Sequence, residues 1–325
     1  FFLLFPLFTA LAALSKENGV LAPLLCAVIE LAYFAPLQRQ VKNPMEPRWP
    51  IKVFFSIFLI VPALAATALL VLKPARFLGG YEGRLFTLTE RLLTQPHALL
   101  DYVGVLLLPR GAALGIYTDD FPVSQSLLDP PITLLAILVL AVWMIASLVL
   151  RKRIPAFFAG TWIFFCAHVM ESSILPLEIY FEHRNYLPSI GLFLAVAGLV
   201  AWGLSRFGAE LAAPRIRTLL TGGCVAIVLL LGAATAVRSS VWSTWAGIAE
   251  HGVQQHPTSR RAHLDKLSIL LTLGQVPEAR EVLDRMLSFP DPAAYSSATL
   301  THVWLDCRED GRVRPTNRDR LATLV

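Results

Sequence analysis

Glu178-Ile-Tyr-Phe-Glu182-His183-Arg184-Asn185-Tyr186-Leu187-Pro188-Ser189 places two carboxylates, a histidine and a guanidinium between two long apolar runs, 154–170 and 187–204. Runs of that length read as helices that cross a membrane, so the charges stand at a membrane edge. Ionisable groups there are costly unless they face a protein interior or a water-filled cavity, and that cost marks them as a functional site.

Working outward, the rest of the chain repeats the pattern of apolar run and polar block. Of its 325 residues 55% are hydrophobic and 16% are charged. A soluble domain carries roughly 25% charged residues, so the composition points to a polytopic membrane protein. A span takes about 20 apolar residues. Candidates are 51–72, 132–150, 154–173, 187–205 and 217–237, with a shorter pair, 1–14 and 19–34, flanking Ser15-Lys16-Glu17-Asn18-Gly19. The expected fold class is therefore all-α, a membrane helix bundle of about seven spans.

Basic residues in the short loops give an orientation. Arg39, Lys42, Arg48 and Lys52 in 35–52, the Arg-Lys-Arg turn at 151–153, and Arg206, Arg215 and Arg217 alternate so as to share one side, assigned to the cytoplasm. The Ser15–Gly19 break, the 73–131 segment, the 171–186 cluster and everything after 238 then lie outside. The expected localisation is a multi-pass inner or plasma membrane protein with an extracytoplasmic C-terminal domain. The net charge of +5 sits mostly in the cytoplasmic turns, so no nucleic-acid partner is expected. Cys26, Cys166, Cys224 and Cys307 have neither CxxC nor His-paired spacing, and no disulfide or metal site is read from them.

The long 73–131 segment carries its own pattern. Leu85, Leu88 and Leu92 recur at helical spacing with Thr87, Glu90, Arg91 and Gln95 between them, and a second apolar segment, 97–108, follows Pro96. Two helices lying along the interface are expected, as a lid or as a substrate-facing surface. The pair Asp119-Asp120 is either a solvated turn before a helix or the one opening for a divalent cation; no other cofactor is suggested.

From 239 the chain reads as soluble. Leu267, Leu270, Gly274, Ala279 and Leu283 stand at positions used by a tetratricopeptide repeat, with Pro290 and Pro292 around the closing proline. The domains expected are thus 1–238, the bundle, and 239–325, a tetratricopeptide-like helical domain. The start at Phe1-Phe-Leu-Leu, without methionine, and the end at Thr323-Leu324-Val325 lead us to expect a longer protein with earlier spans and further repeats.

Three polar sets are expected on the outer face: Lys16-Glu17, Glu171 with its serines, and Glu178 to Arg184. Arginine or lysine pairs with phosphate, and a carboxylate is a base towards a hydroxyl. Equally, Glu182–Arg184 and Lys16–Glu17 read as ion pairs or caps that hold helix ends.

The Ser15-Lys16-Glu17 break, the stretch Glu182-His183-Arg184-Asn185-Tyr186-Leu187-Pro188-Ser189-Ile190-Gly191 and the repeat-like C-terminus together resemble the transmembrane and tetratricopeptide repeat-containing proteins and their bacterial relatives, of the GT-C class of glycosyltransferases. The resemblance implies transfer of a sugar from a polyprenyl-phosphate carrier to a protein or glycan acceptor, with a membrane lipid and a protein acceptor as partners. It implies Lys16, Glu182 and Arg184 as donor-site residues. With them, Glu182 and Glu178 are the candidate catalytic carboxylates, and Lys16, Glu17, Arg184, His183 and Glu171 the candidate substrate-binding residues. The class places its principal acid in a first outer loop that this chain does not contain, so the chain alone is expected to be inactive. The competing expectation is a non-catalytic scaffold that recruits partners to an envelope assembly.

Overall fold

The computed structural model describes residues 2–40, 49–109, 115–211 and 214–324. Among them the chain is all-helical, with no strand. By contact it divides into two compact units, 1–108 with 123–220 and 109–122 with 221–325. The second unit therefore takes in a short piece of the long loop and most of the last apolar helix, as well as the C-terminal region.

Among the described residues five helices are long and apolar enough to cross a membrane: Glu17–Leu37, Trp49–Leu72, Ile132–Leu150, Glu182–Gly208 and Pro214–Val241. Two further apolar helices, Leu4–Ser15 and Pro155–Ala167, are shorter. At 1.5 Å per residue, the 13 residues of the latter extend about 20 Å, short of a hydrocarbon core of about 30 Å. The expected span over 154–173 thus resolves into a helix opened by Pro155 at its first turn and followed by non-helical chain.

In the first unit we label α1 (Leu4–Ser15), α2 (Glu17–Leu37), α3 (Trp49–Leu72), α4 (Leu88–Leu107), α5 (Ile132–Leu150), α6 (Pro155–Ala167) and α7 (Tyr186–Leu211). Lys16 is extended between α1 and α2, and its N–H still reaches the Ala12 carbonyl at 2.8 Å. Gly19 then passes so close to α1 that a Cβ there would stand 2.3 Å from the Ala12 carbonyl carbon. The tightest pairing is between α6 and α7. A Cβ on Gly160 would meet the backbone of Ala195 and Gly191 at 2.3 and 2.4 Å, and Gly198 faces Ala156. Small residues let helix backbones approach where lipid supplies no hydrophobic drive. Phe158, Ala159, Ile163 and Cys166 close the other side of α6 against Val28 and Ala32 of α2, and Trp143 of α5 donates to Thr161 at 2.9 Å.

Helix α4 departs from the sequence expectation in running unbroken through Pro96, where two segments were expected. Leu85 and Leu92 of the leucine stripe are exposed, whereas Arg91, Thr94, Gln95 and Tyr102 are buried with Ala98, Leu99 and Val105. The buried face follows helical spacing but is half polar. Thr87 opens the helix in a capping box with Glu90, which satisfies its first free N–H groups.

In the second unit, α8 (Pro214–Val241) leads into α9 (Trp245–Gln255), α10 (Arg260–Thr272), α11 (Val276–Met286), α12 (Pro292–Asp310) and α13 (Pro315–Ala322), and each of α9 to α13 packs on the next. Thr244, Ser259 and Asp291 cap α9, α10 and α12. Gly274, at φ +73°, turns α10 into α11, a left-handed conformation that suits glycine. Leu267, Ala279 and Leu283 are buried here, joined by Met286, Ala294, Ala298 and Leu305.

Candidate functional site

Chain 171–181, between α6 and α7, has no regular secondary structure, so its carbonyls need partners from elsewhere. The polar face of α4 supplies them. Arg91, with no exposed surface, donates to the carbonyls of Glu171 (2.5 Å), Ser173 (3.1 Å) and Leu177. One turn on, the Gln95 amide donates to Ile179 at 3.2 Å; further along, the Tyr102 hydroxyl accepts from the Phe181 N–H at 2.7 Å. Tyr81, ahead of α4, donates to the Ile174 carbonyl at 2.8 Å. The strap is held like a ligand.

That hold places the candidate side chains. Glu171 and Arg184 are both buried, with Arg184 Nε 3.8 Å from Glu171 Oε2. Asn18, in the break between α1 and α2, donates to Glu171 Oε1 at 2.9 Å. Arg184 also donates to the Glu178 carbonyl and lies 5.2 Å over the Phe181 ring. Lys16 is exposed beside these groups; burial, then the charges of Arg184 and Lys16, lower the His183 imidazole. The three sets read from the sequence thus meet through Asn18, Glu171 and Arg184.

The remaining candidates take different places. The Glu178 carboxylate is bound by Arg84 at 2.6 Å, so it serves as an anchor of the strap. Glu182 is half-buried in the 3₁₀ turn Glu182–Asn185, His183 is exposed, and Glu17 is exposed at the start of α2. The arrangement can do two things chemically. Arg184 and Lys16 carry cationic N–H donors of the kind that bind an oxyanion, and the Glu182 carboxylate belongs to the same 3₁₀ turn as Arg184.

Sequence reasoning missed Arg84, Arg91, Gln95, Asn18 and Tyr102. Burial lowers the Arg91 guanidinium to about 10, which leaves it a cation at neutral pH. The same cause pushes the Tyr102 phenol up to about 12. Burial, then the neighbouring Asp101, raises Tyr180, whose hydroxyl donates to Asp101 at 2.8 Å. Each phenol is therefore a neutral hydrogen-bonding group. The signal that identifies this face is a polar one, Arg91, Gln95 and Tyr102 at helical spacing beside the leucine stripe.

Asp119-Asp120 is not a solvated turn. Asp119 accepts from the Ser259 hydroxyl (2.5 Å) and the Arg261 N–H (3.2 Å) at the start of α10. Asp120 accepts from His256 Nδ1 at 2.7 Å. Tyr117 lies against Gly252, where a Cβ would meet its ring at 2.3 Å, and donates to Asp265 at 2.8 Å. Among the described residues no group of three or more His, Cys, Asp or Glu side chains is placed to hold a metal ion. Comparison with protein-family models, curated proteins and solved structures gave no match to this chain.

Proposed function

We propose that this chain is part of a membrane glycosyltransferase that moves a sugar from a polyprenyl-phosphate carrier to a hydroxyl acceptor. The observation that carries this reading is the buried Glu171–Arg184 pair, tied to Asn18 and flanked by Lys16, all at the ends of apolar helices. A buried charge pair held from three separate segments is expensive to build. Beside an exposed lysine it suits an anion that arrives from the membrane.

In the proposed reaction Arg184 and Lys16 hold the donor phosphate. The acceptor oxygen forms a bond to the anomeric carbon, the carbon–oxygen bond to phosphate breaks, and the lipid phosphate leaves with the electron pair. The acceptor proton passes to a carboxylate, and Glu182 is the residue of this chain proposed for that role. The α10–α11 hairpin, in this reading a tetratricopeptide-like repeat, presents the acceptor from the extracytoplasmic side.

The test is glycosyl transfer by the full protein carrying Arg184→Ala or Lys16→Ala. Each variant is expected to lose about 100-fold or more, the scale of a lost charge-stabilising donor, with membrane insertion intact. Unchanged transfer in both variants would remove the assignment.

A further inference from the structure

Two consecutive residues of α4, Asp101 and Tyr102, hold two consecutive residues of the strap, Tyr180 and Phe181. We propose that Tyr102, backed by Asp101, is a positioning residue of the glycosyl-transfer site: it fixes Phe181, and Phe181 in turn fixes Arg184. This inference rests on the glycosyl-transfer reading and concerns how the principal cation of that site is aimed.

The hold begins at one hydroxyl. The Tyr102 phenol accepts from the Phe181 N–H at 2.7 Å and donates to the Phe181 carbonyl at 3.2 Å. The same carbonyl accepts from the Arg184 N–H at 3.2 Å, where the 3₁₀ turn Glu182–Asn185 begins. Tyr102 and Arg184 therefore meet on one oxygen, whose two lone pairs serve both donors. The Phe181 ring makes a second link, because the Arg184 guanidinium lies 5.2 Å over it, a cation–π contact that strengthens when desolvated. Glu171 and the Glu178 carbonyl hold the guanidinium end of Arg184. Phe181 holds its backbone end.

Packing keeps Tyr102 itself in place. The residue is buried, its ring centroid is 4.3 Å from that of Tyr180, and on its other neighbour, His168 at the end of α6, it stacks at 5.4 Å and 3°. Asp101, one residue earlier, accepts from the Tyr180 hydroxyl at 2.8 Å. A hydroxyl on a carboxylate makes a charge-assisted bond, stronger than a neutral one. The pair of tyrosine rings is thus tied to α4 at one end and to the strap at the other. What this leaves fixed is the chain just before Glu182 and Arg184.

The experiment measures kcat and KM for glycosyl transfer by the full protein, with Arg184→Ala as the reference. Tyr102→Phe keeps the ring and its stacking and removes both hydrogen bonds. It is expected to lower kcat about tenfold, inside the roughly 100-fold that a misplacement of about 1 Å can cost. KM for the donor should change by less than about twofold, because the cation is still present. In the Arg184→Ala background the same substitution should add little, since independent effects add and coupled ones do not. Asp101→Asn keeps an oxygen for the Tyr180 hydroxyl and is expected to retain more transfer than Asp101→Ala. Wild-type kcat in Tyr102→Phe, beside a loss in Arg184→Ala, overturns the positioning role and leaves the glycosyl-transfer reading standing. Additive losses in the double variant also overturn it, because Tyr102 then serves the fold and not Arg184. Wild-type transfer by Arg184→Ala takes Arg184 out of the reading, and the positioning role falls with it.

Discussion

Two irregular straps in this protein are fixed by opposite means. Chain 171–181 offers its backbone carbonyls to side chains of α4, chiefly Arg91. Residues 117–120 offer their own side chains to helices, with Asp119 accepting at the start of α10 and Asp120 accepting from His256. In the first case a helix side chain serves the strap's backbone. In the second the strap's side chains bind side chains of the α9–α10 corner and Asp265, and one N–H at the start of α10. The two regions should therefore respond differently to truncation.

The largest effect is expected at Arg91. Arg91→Ala removes charge-assisted bonds to three carbonyls and leaves them buried, at about 3–5 kcal/mol. Hydrogen exchange across 171–181 should accelerate and thermal unfolding should fall, while exchange in α10 stays unchanged. Arg91→Lys should recover little, because an ammonium lacks the planar fork that reaches several oxygens at once. If the alanine variant leaves exchange in 171–181 untouched, the strap is held by Gln95 and Tyr102 instead, and the contrast between the two straps fails.

The next effect is expected in acid, among the C-terminal helices that follow the second strap's partners. Asp306 in α12 has no exposed surface. It accepts from the Arg314 N–H at 3.0 Å and from Asn317 at 2.7 Å, and pairs with Arg280 at 3.0 Å. Burial pushes its carboxyl up, but the Asn317, Arg314 and Arg280 contacts outweigh that and hold it below 3.8. A carboxyl depressed in the fold contributes stability that is full above its unfolded value near 3.9 and is lost as pH falls through the folded value. The C-terminal helices should thus loosen below about pH 4, and Asp306→Asn should flatten that response. Circular dichroism of the chain, with site-resolved exchange in α12 and α13, reads this response.

Legibility in the sequence divides along the same line. The apolar helices were readable because 20 residues without charge admit few other structures. The polar break at Ser15–Gly19 and the cluster from Glu171 to Arg184 were readable because charge beside such runs is costly. The C-terminal hairpin was readable from Leu267, Gly274, Ala279 and Leu283, which carry their period in identity. The polar face of α4 was not. The stripe of Leu85, Leu88 and Leu92 marked a helix with one apolar face, but nothing local showed that Arg91 and Gln95 serve backbone carbonyls more than 80 residues along the chain. Asp119-Asp120 failed for the same reason, since partners 140 residues away leave no local trace.

The smallest effect sharpens the second strap. Asp119→Ala removes one acceptor from the Arg261 N–H and another from the Ser259 hydroxyl. Ser259 itself still caps α10 through the Ala262 N–H at 3.1 Å. The helix therefore keeps its own cap and loses only the strap's addition, about 1 kcal/mol on the scale of a single capping group. Asp119→Asn retains an acceptor oxygen and should cost less, which distinguishes hydrogen bonding from charge. Equal losses in the two variants, read by denaturant unfolding of the chain, would make charge the greater part. A loss as large as that of Arg91→Ala would erase the distinction between the straps, because a strap held by its side chains should yield one bond at a time.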